Sequence, residues 1–233
     1  MRDAKEVIRG TDRREVCRYL GYHRVKPDPA IEGEIEICLE DLCRAADPRA
    51  VYRRCALLCH EDGKLTIGAL PGDLSPKILM ETDSRSLSKN LRGCSQVFLM
   101  AATLGPGPDL LVRRAQIRNA GRMVIYQAAG AAMIETWCDE VNEEIRRQAE
   151  GMGLFCRPRF SPGYGDLPLE LQRDFMSALQ MKKEIGVGLT DSLLMTPTKS
   201  VTAIIGLGPE RMLCPRAGCE SCEKAGSCQY ARS

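Results

Sequence analysis

The chain is poor in the residues that most often announce a function. Only 5% of its 233 residues are aromatic, with four Phe, six Tyr and one Trp. So few rings exclude a base-stacking platform for single-stranded nucleic acid. An excess of one charge is also missing: 33 Lys and Arg face 31 Asp and Glu, the net charge is +2, and like charges form no long run. Nothing here draws the chain to nucleic acid or to an anionic membrane. The most apolar runs, Val97 to Leu104 and Ala128 to Ile134, fall far short of the roughly 20 residues that cross a bilayer. The first ten residues carry no apolar signal segment, so a cytoplasmic protein is expected. The two histidines, His23 and His60, are each expected to be structural or solvated.

What the chain has in excess is cysteine, with twelve. Cytosolic thiols stay reduced, so an even count does not imply a disulfide framework. Eight cysteines are scattered between Cys17 and Cys156, mostly beside Leu, Ile or Ala. They read as small buried hydrophobes. The other four close the chain as Cys214-Pro-Arg-Ala-Gly-Cys219-Glu-Ser-Cys222-Glu-Lys-Ala-Gly-Ser-Cys228. A C-x2-C pair aims two thiolates into one site, and Gly218 and Gly226 give the backbone the freedom to close it. Four thiolates suit zinc or an iron–sulfur cluster. The spacing leaves both open, and its departure from the paired C-x2-C motifs of zinc ribbons favours a [4Fe–4S] cluster. Arg211, Arg216, Lys224 and Arg232 surround the group.

Apolar spacing predicts a helix over 3–20 and a second from Ile31 to Ala46. Strands are expected at Val51 to Leu58 and Lys64 to Leu70, a short helix capped by Ser84 up to Leu91, and a buried strand from Gln96 to Leu104. Asp109 is expected to cap a helix to about Arg118. The longest helix then runs from about Asn119 to Glu150, stopped by Gly151 and Gly153. A helix from Pro168 to Ile185 and a strand from Ser200 to Leu207 complete the series. Helices and strands mix without regular β-α-β alternation, which favours the α+β class. The expected division is a folded domain over 1–208 and a cysteine-rich, metal- or cluster-binding tail over 209–233.

The least ordinary segment is Arg157-Pro-Arg-Phe-Ser-Pro-Gly-Tyr-Gly-Asp166. Pro162-Gly163 fits the centre of a type II turn, with Gly163 supplying the positive φ. Arg159 offers a planar fork for a carboxylate, Tyr164 a ring and a hydroxyl, and Asp166 an anion. That set suits an amino-acid-like ligand with a positive centre. It equally describes a structural turn whose arginine pairs with a surface acid.

Arg159-Phe-Ser-Pro-Gly-Tyr164 resembles the Arg-Pro-Ala-Pro-Gly-Tyr loop of the activation domain of cobalamin-dependent methionine synthase. Leu189-Thr-Asp-Ser-Leu-Leu-Met195, Pro197 and Ser200-Val-Thr202 are similar to a second block of that family, Leu-Thr-Glu-Ser-x-x-Met-x-Pro-x-x-Ser-Val-Ser. The helix around Ile134 to Glu140 resembles the one preceding the loop, and the resemblance covers about residues 95–207. It implies a twisted, mainly antiparallel sheet packed with long helices. It also implies S-adenosylmethionine (AdoMet) held by Arg159, by the backbone around Ser161 and Gly163, and by Tyr164 facing ligand or corrin. Two departures stand out. Ile204 and Ile205 replace an aromatic pair of the family, and the family's N-terminal acid has no clear counterpart, with Glu135 a substitute.

The role implied is that of a stand-alone reactivation subunit, like those of anaerobic bacteria. A flavodoxin or ferredoxin supplies one electron to the inactive cob(II)alamin of methionine synthase, and the methyl group of AdoMet traps it as methylcobalamin. Such a protein is associated with a methyltransferase without forming methionine itself. Two other readings remain. One is an iron–sulfur redox activator of another corrinoid methyltransferase. The other is a non-enzymatic zinc- or cluster-binding partner protein.

Overall fold

The computed structural model describes residues 2–22, 25–72 and 78–211. Cys214, Cys219, Cys222, Cys228 and His23 lie outside the described residues.

The N-terminal region forms two helices where the apolar spacing suggests one. These are α1 (Ala4–Arg9) and α2 (Arg13–Tyr19), separated by Gly10-Thr-Asp12. Gly10 closes α1, and the Asp12 carboxylate accepts from Arg14 N–H to open α2, as N-cap chemistry favours. Asp28 caps α3 (Pro29–Ala45), with Pro29 in its first turn. The chain then enters β1 (Arg49–Cys59), turns into β2 (Leu65–Gly68), and returns through β3 (Ile78–Thr82), a strand the pattern does not reveal. Then come α4 (Arg85–Asn90), capped by Ser84 as expected, β4 (Gln96–Thr103) and α5 (Gly107–Arg118). Asp109 does not cap α5. Its carboxylate accepts from the Thr198 N–H (2.8 Å) and hydroxyl (2.6 Å), tying the helix to a distant loop.

Asn119 caps α6 (Ala120–Glu150), the longest helix. The short strand β5 (Phe155–Cys156) follows. The expected helix from Pro168 to Ile185 is three pieces instead: a 3-10 turn at Leu169–Leu171, α7 (Gln172–Ala178) and α8 (Met181–Ile185). The break falls at Gln180, whose φ of 47 is left-handed. A small ribbon of β6 (Gly188–Leu189) and β7 (Met195–Thr196) precedes β8 (Ser200–Gly208).

The six main strands form one antiparallel sheet in the order β3-β2-β1-β4-β8-β5. Period-two alternation sends successive side chains of β4 to opposite faces. Phe98, Met100 and Ala102 join a core built with α1, α2, α3, α5 and α6. Val97, Leu99 and Ala101 join a second core with α4, α7 and α8. With both faces covered, β4 and β8 read as continuous apolar runs. Ile204 and Ile205 are each fully buried, one in each core. Their place is therefore in packing, not in ligand contact.

On α6 the small-residue stretch allows a close approach, as its composition suggests. The Lys199 stem lies over Gly130, where a Cβ would sit 2.9 Å from Cε. Its ammonium donates to the Gln127 carbonyl (3.2 Å) and side-chain oxygen (2.8 Å). Of the eight scattered cysteines, Cys38, Cys55, Cys94 and Cys138 are buried and three others are half-buried. Cys59 is exposed, a correction to the uniform core reading. No helix among the described residues is long and apolar enough to cross a membrane.

Candidate ligand-binding site

The segment carrying Arg159 continues the sheet edge beyond β5. Phe155 and Cys156 pair with Gly208 and Leu207, Arg157 N–H donates to the Gly206 carbonyl (2.8 Å), and Phe160 exchanges two hydrogen bonds with Ile204 (2.9 and 2.8 Å). Between Cys156 and Phe160 the pairing with β8 slips by one residue. That interval contains Pro158, which has no N–H to give and is tolerated at an edge. Such a bulge re-aims a side chain, and here it turns Arg159 towards α6.

The Arg159 guanidinium meets two carboxylates of α6. Nη2 lies 3.1 Å from Glu135 Oε2 and Nη1 2.8 Å from Asp139 Oδ1. The acids stand four residues apart, which places them on one helix face. The Arg159 side chain is 23% exposed, while those of Glu135 and Asp139 are 47% and 74% exposed. The arginine is thus fixed and its partners are free to swing away. Burial opposes the arginine charge, and Cys138, Asp139 and Glu135 around it more than offset this and raise its pKa. The site therefore holds a permanent cation under two replaceable anions.

The turn beyond it has the expected form. Tyr164 N–H donates to the Ser161 carbonyl (3.0 Å) across Pro162-Gly163, and Gly163 has a φ of 89, the geometry of a type II turn. Gly163 N–H is used internally, donating to Leu167 O (2.9 Å). The Tyr164 ring is 70% exposed and meets the edge of Phe160, with centroids 6.4 Å apart. Arg159, Ser161, Gly163 and Tyr164 therefore lie together on one short loop beside α6.

Asp166 does not belong to that group. Its carboxylate accepts from the Ser84 hydroxyl (2.5 Å) and from the backbone N–H groups of Arg85 (2.8 Å) and Ser86 (3.1 Å), capping α4 from outside. The Ser84 hydroxyl bond, with the two backbone donors, holds its pKa well below the usual carboxylate range. A carboxyl whose folded pKa is depressed stabilises the fold above its unfolded value of about 3.9. That contribution is lost as pH falls through the folded value. Asp166→Asn is expected to lower the thermal midpoint at neutral pH and to flatten its fall in acid. An acid limb identical to that of the parent protein would remove this role.

Asp139 is the residue that sequence reasoning missed, although its spacing from Glu135 was visible. No group of three or more His, Cys, Asp or Glu among the described residues could hold a metal ion. The four terminal cysteines expected to hold one lie outside them.

Residues 123–213 match the family model for the vitamin B12 dependent methionine synthase, activation domain. No curated protein matches the chain. Among solved structures, the crystal structure of the MetH reactivation domain bound to AdoHcy superimposes with a TM-score of 0.61 at 15% sequence identity, over 87% of this chain and 78% of that one. At that identity the match speaks for the fold: the α+β architecture with its antiparallel sheet is that of the reactivation domain.

Proposed function

We propose, from the match of residues 123–213 to the vitamin B12 dependent methionine synthase activation-domain model, that this chain is a separate reactivation subunit for a cobalamin-dependent methionine synthase. One observation carries the reading. Arg159 is built into the sheet edge, half-buried, beside a rigid turn, and its acidic partners among the described residues are the half-exposed Glu135 and the exposed Asp139. That arrangement suits a ligand carboxylate exchanging for those of Glu135 and Asp139, with the bidentate geometry that arginine favours. The solved relative holds AdoHcy, and AdoMet is the corresponding methyl donor.

The turn limits how the ligand is met. Its own bonds use the Ser161 carbonyl and the Gly163 N–H. That leaves the Ser161 N–H, the Gly163 carbonyl and the second lone pair of the Ser161 carbonyl for backbone contact with AdoMet. The exposed Tyr164 ring faces ligand or the partner's corrin. AdoMet supplies the methyl group, and the residues here orient it, since methyl transfer depends on near-attack placement. The partner brings the cobalamin, and a flavodoxin or ferredoxin brings the electron. Cys214, Cys219, Cys222 and Cys228 hold a [4Fe–4S] cluster or zinc in this reading. A second reading makes that cluster the redox centre of an activator for another corrinoid methyltransferase.

The decisive experiment mixes the protein with cob(II)alamin-loaded methionine synthase, AdoMet and a one-electron donor. Methylcobalamin is expected to form only when all are present, and its absence would overturn the reading. Anaerobically purified protein whose visible absorbance bleaches with dithionite would assign a cluster to the tail. A colourless protein holding one zinc would remove the electron-transfer role.

A further inference from the structure

Helix α5 divides sharply into two faces. Leu111, Val112 and Ala115 turn inward and pack on the core shared with α3 and α6. Leu110, Arg113, Arg114 and Ile117 recur at three and four residues, which places them together on the other side. Ile117 is 88% exposed, more than any other large hydrophobic among the described residues, and Leu110 is 48% exposed. A single exposed apolar side chain is ordinary. Here two stand two turns apart with arginines between them. Arg113, Arg114 and the following Arg118 take part in no hydrogen bond or ion pair among the described residues. From Gly107 to Ile134 the sequence holds one acid, Asp109, and its carboxylate is already engaged by Thr198. Three free guanidinium groups therefore surround an apolar contact with no acid among them.

The next helix connects this patch to the candidate ligand site. Val124, Gln127, Ala131 and Glu135 follow one side of α6 at the same three- and four-residue steps. Val124 and Gln127 are exposed and Ala131 is partly exposed. Eleven residues separate Val124 from Glu135, about 16 Å along the helix. An open stripe thus leads from the exposed Val124, just beyond α5, to the carboxylate that Arg159 meets.

We propose that the outer face of α5 and this stripe of α6 form the docking surface for the cobalamin-carrying partner, which offers acidic side chains around an apolar contact. The proposal rests on the reading of the chain as a reactivation subunit. Continuity selects this occupant. A partner that brings its corrin to Arg159 and Tyr164 already stands beside Glu135. An ordinary interface covers about 800 Å² on each side, roughly 30 Å across, which carries it past Val124. Charge selects the partner's chemistry, because unpaired cations with no acid beside them are matched by carboxylates opposite. The choice of cation agrees: the segment from Gly107 to Ile134 has arginine and no lysine. Guanidinium is more weakly hydrated than ammonium, and interfaces favour arginine over lysine. The arginines then steer the encounter and set its orientation, while Ile117 supplies the contact that water leaves.

The rate of methylcobalamin formation tests this, measured against the concentration of cob(II)alamin-loaded methionine synthase and, separately, of the electron donor. R113E/R114E and I117S are each expected to raise the half-saturating synthase concentration about 10-fold or more, as loss of a central contact does. The limiting rate, the AdoMet dissociation constant and the thermal midpoint are expected to stay at parental values. Added salt should raise the parent's half-saturating concentration and affect R113E/R114E less. K89E/R92E, a double reversal of exposed cations on and just beyond α4, is the matched control and should change none of these. Parental half-saturation in both R113E/R114E and I117S would overturn the docking surface and leave the reactivation reading standing. No methylcobalamin from the parent protein would overturn that reading and the docking with it. A parental dimer that I117S dissociates in sedimentation would place a second copy on this face. A shift confined to the donor's half-saturation would place the donor there. Either result overturns the proposal.

Discussion

Replacing Arg159 by alanine is expected to weaken AdoMet binding about 10- to 100-fold, because a hydrogen bond to a charged group contributes roughly 1.5–3 kcal/mol. The same change should leave the fold almost untouched. The Glu135 and Asp139 carboxylates it abandons are half-exposed and exposed, and ion pairs with such partners contribute about 0–1 kcal/mol. Binding and stability thus separate at this residue, which distinguishes a ligand contact from a structural ion pair. Arg159→Lys keeps the charge and loses the planar fork, and should fall between the two. Isothermal titration with AdoMet, alongside a urea unfolding curve, checks all three proteins. An unchanged dissociation constant in Arg159→Ala would refute the assignment.

The largest stability effect is expected far from the site, at Gly107→Ala. A Cβ on Gly107 would lie 1.9 Å from the carbonyl oxygen of Ala45 and 2.6 Å from its carbon. Both contacts are with backbone, so no side-chain rotation relieves them. The start of α5 would have to move off the end of α3, opening the core that both helices share with α6. A loss of about 4 kcal/mol or more follows, at the extreme of single substitutions. Gly33→Ala is the matched control. Gly33 lies within α3 and its added Cβ would meet nothing within 4 Å, so there alanine should stabilise by up to about 1 kcal/mol. Urea denaturation separates the two, and near-parental stability of Gly107→Ala would contradict the packing described for α3 and α5.

Much of this architecture was legible before any coordinates. α3, α4, α6, β1, β4 and β8 announce themselves through clear apolar patterns, helped by recognisable ends at Ser84, the cap of α4, and Gly151, the stop of α6. The failures share a cause. The segment from Leu169 to Ile185 keeps helical spacing throughout, and its break falls at the left-handed Gln180, with no Gly or Pro to mark it. Asp109 and Asp166 both have the chemistry of their expected roles. Which donors an aspartate finds depends on residues 89 and about 80 positions away, respectively.

The site shows the same division. Its turn is local, so Pro162-Gly163 predicts it. The pairing of Arg159 with α6 is not local: it depends on the slip between β5 and β8, which no spacing in the sequence displays. Glu135 was weighed only as a substitute acid, and Asp139 not at all, because a helical pattern does not say which face a distant loop will meet.

Strand β8 also sets a leash. The Arg159 loop hangs from Ile204 and Gly206, and the tail departs just beyond Gly208. From Gly208 to Cys214 is six residues, so the first tail thiol stays within about 21 Å of the strand's end however that segment is arranged. Tethering over such a span corresponds to effective concentrations on the order of millimolar. On the proposed function, a partner corrin brought to Tyr164 would meet the segment beyond Gly208 in the same encounter, with no second diffusional search.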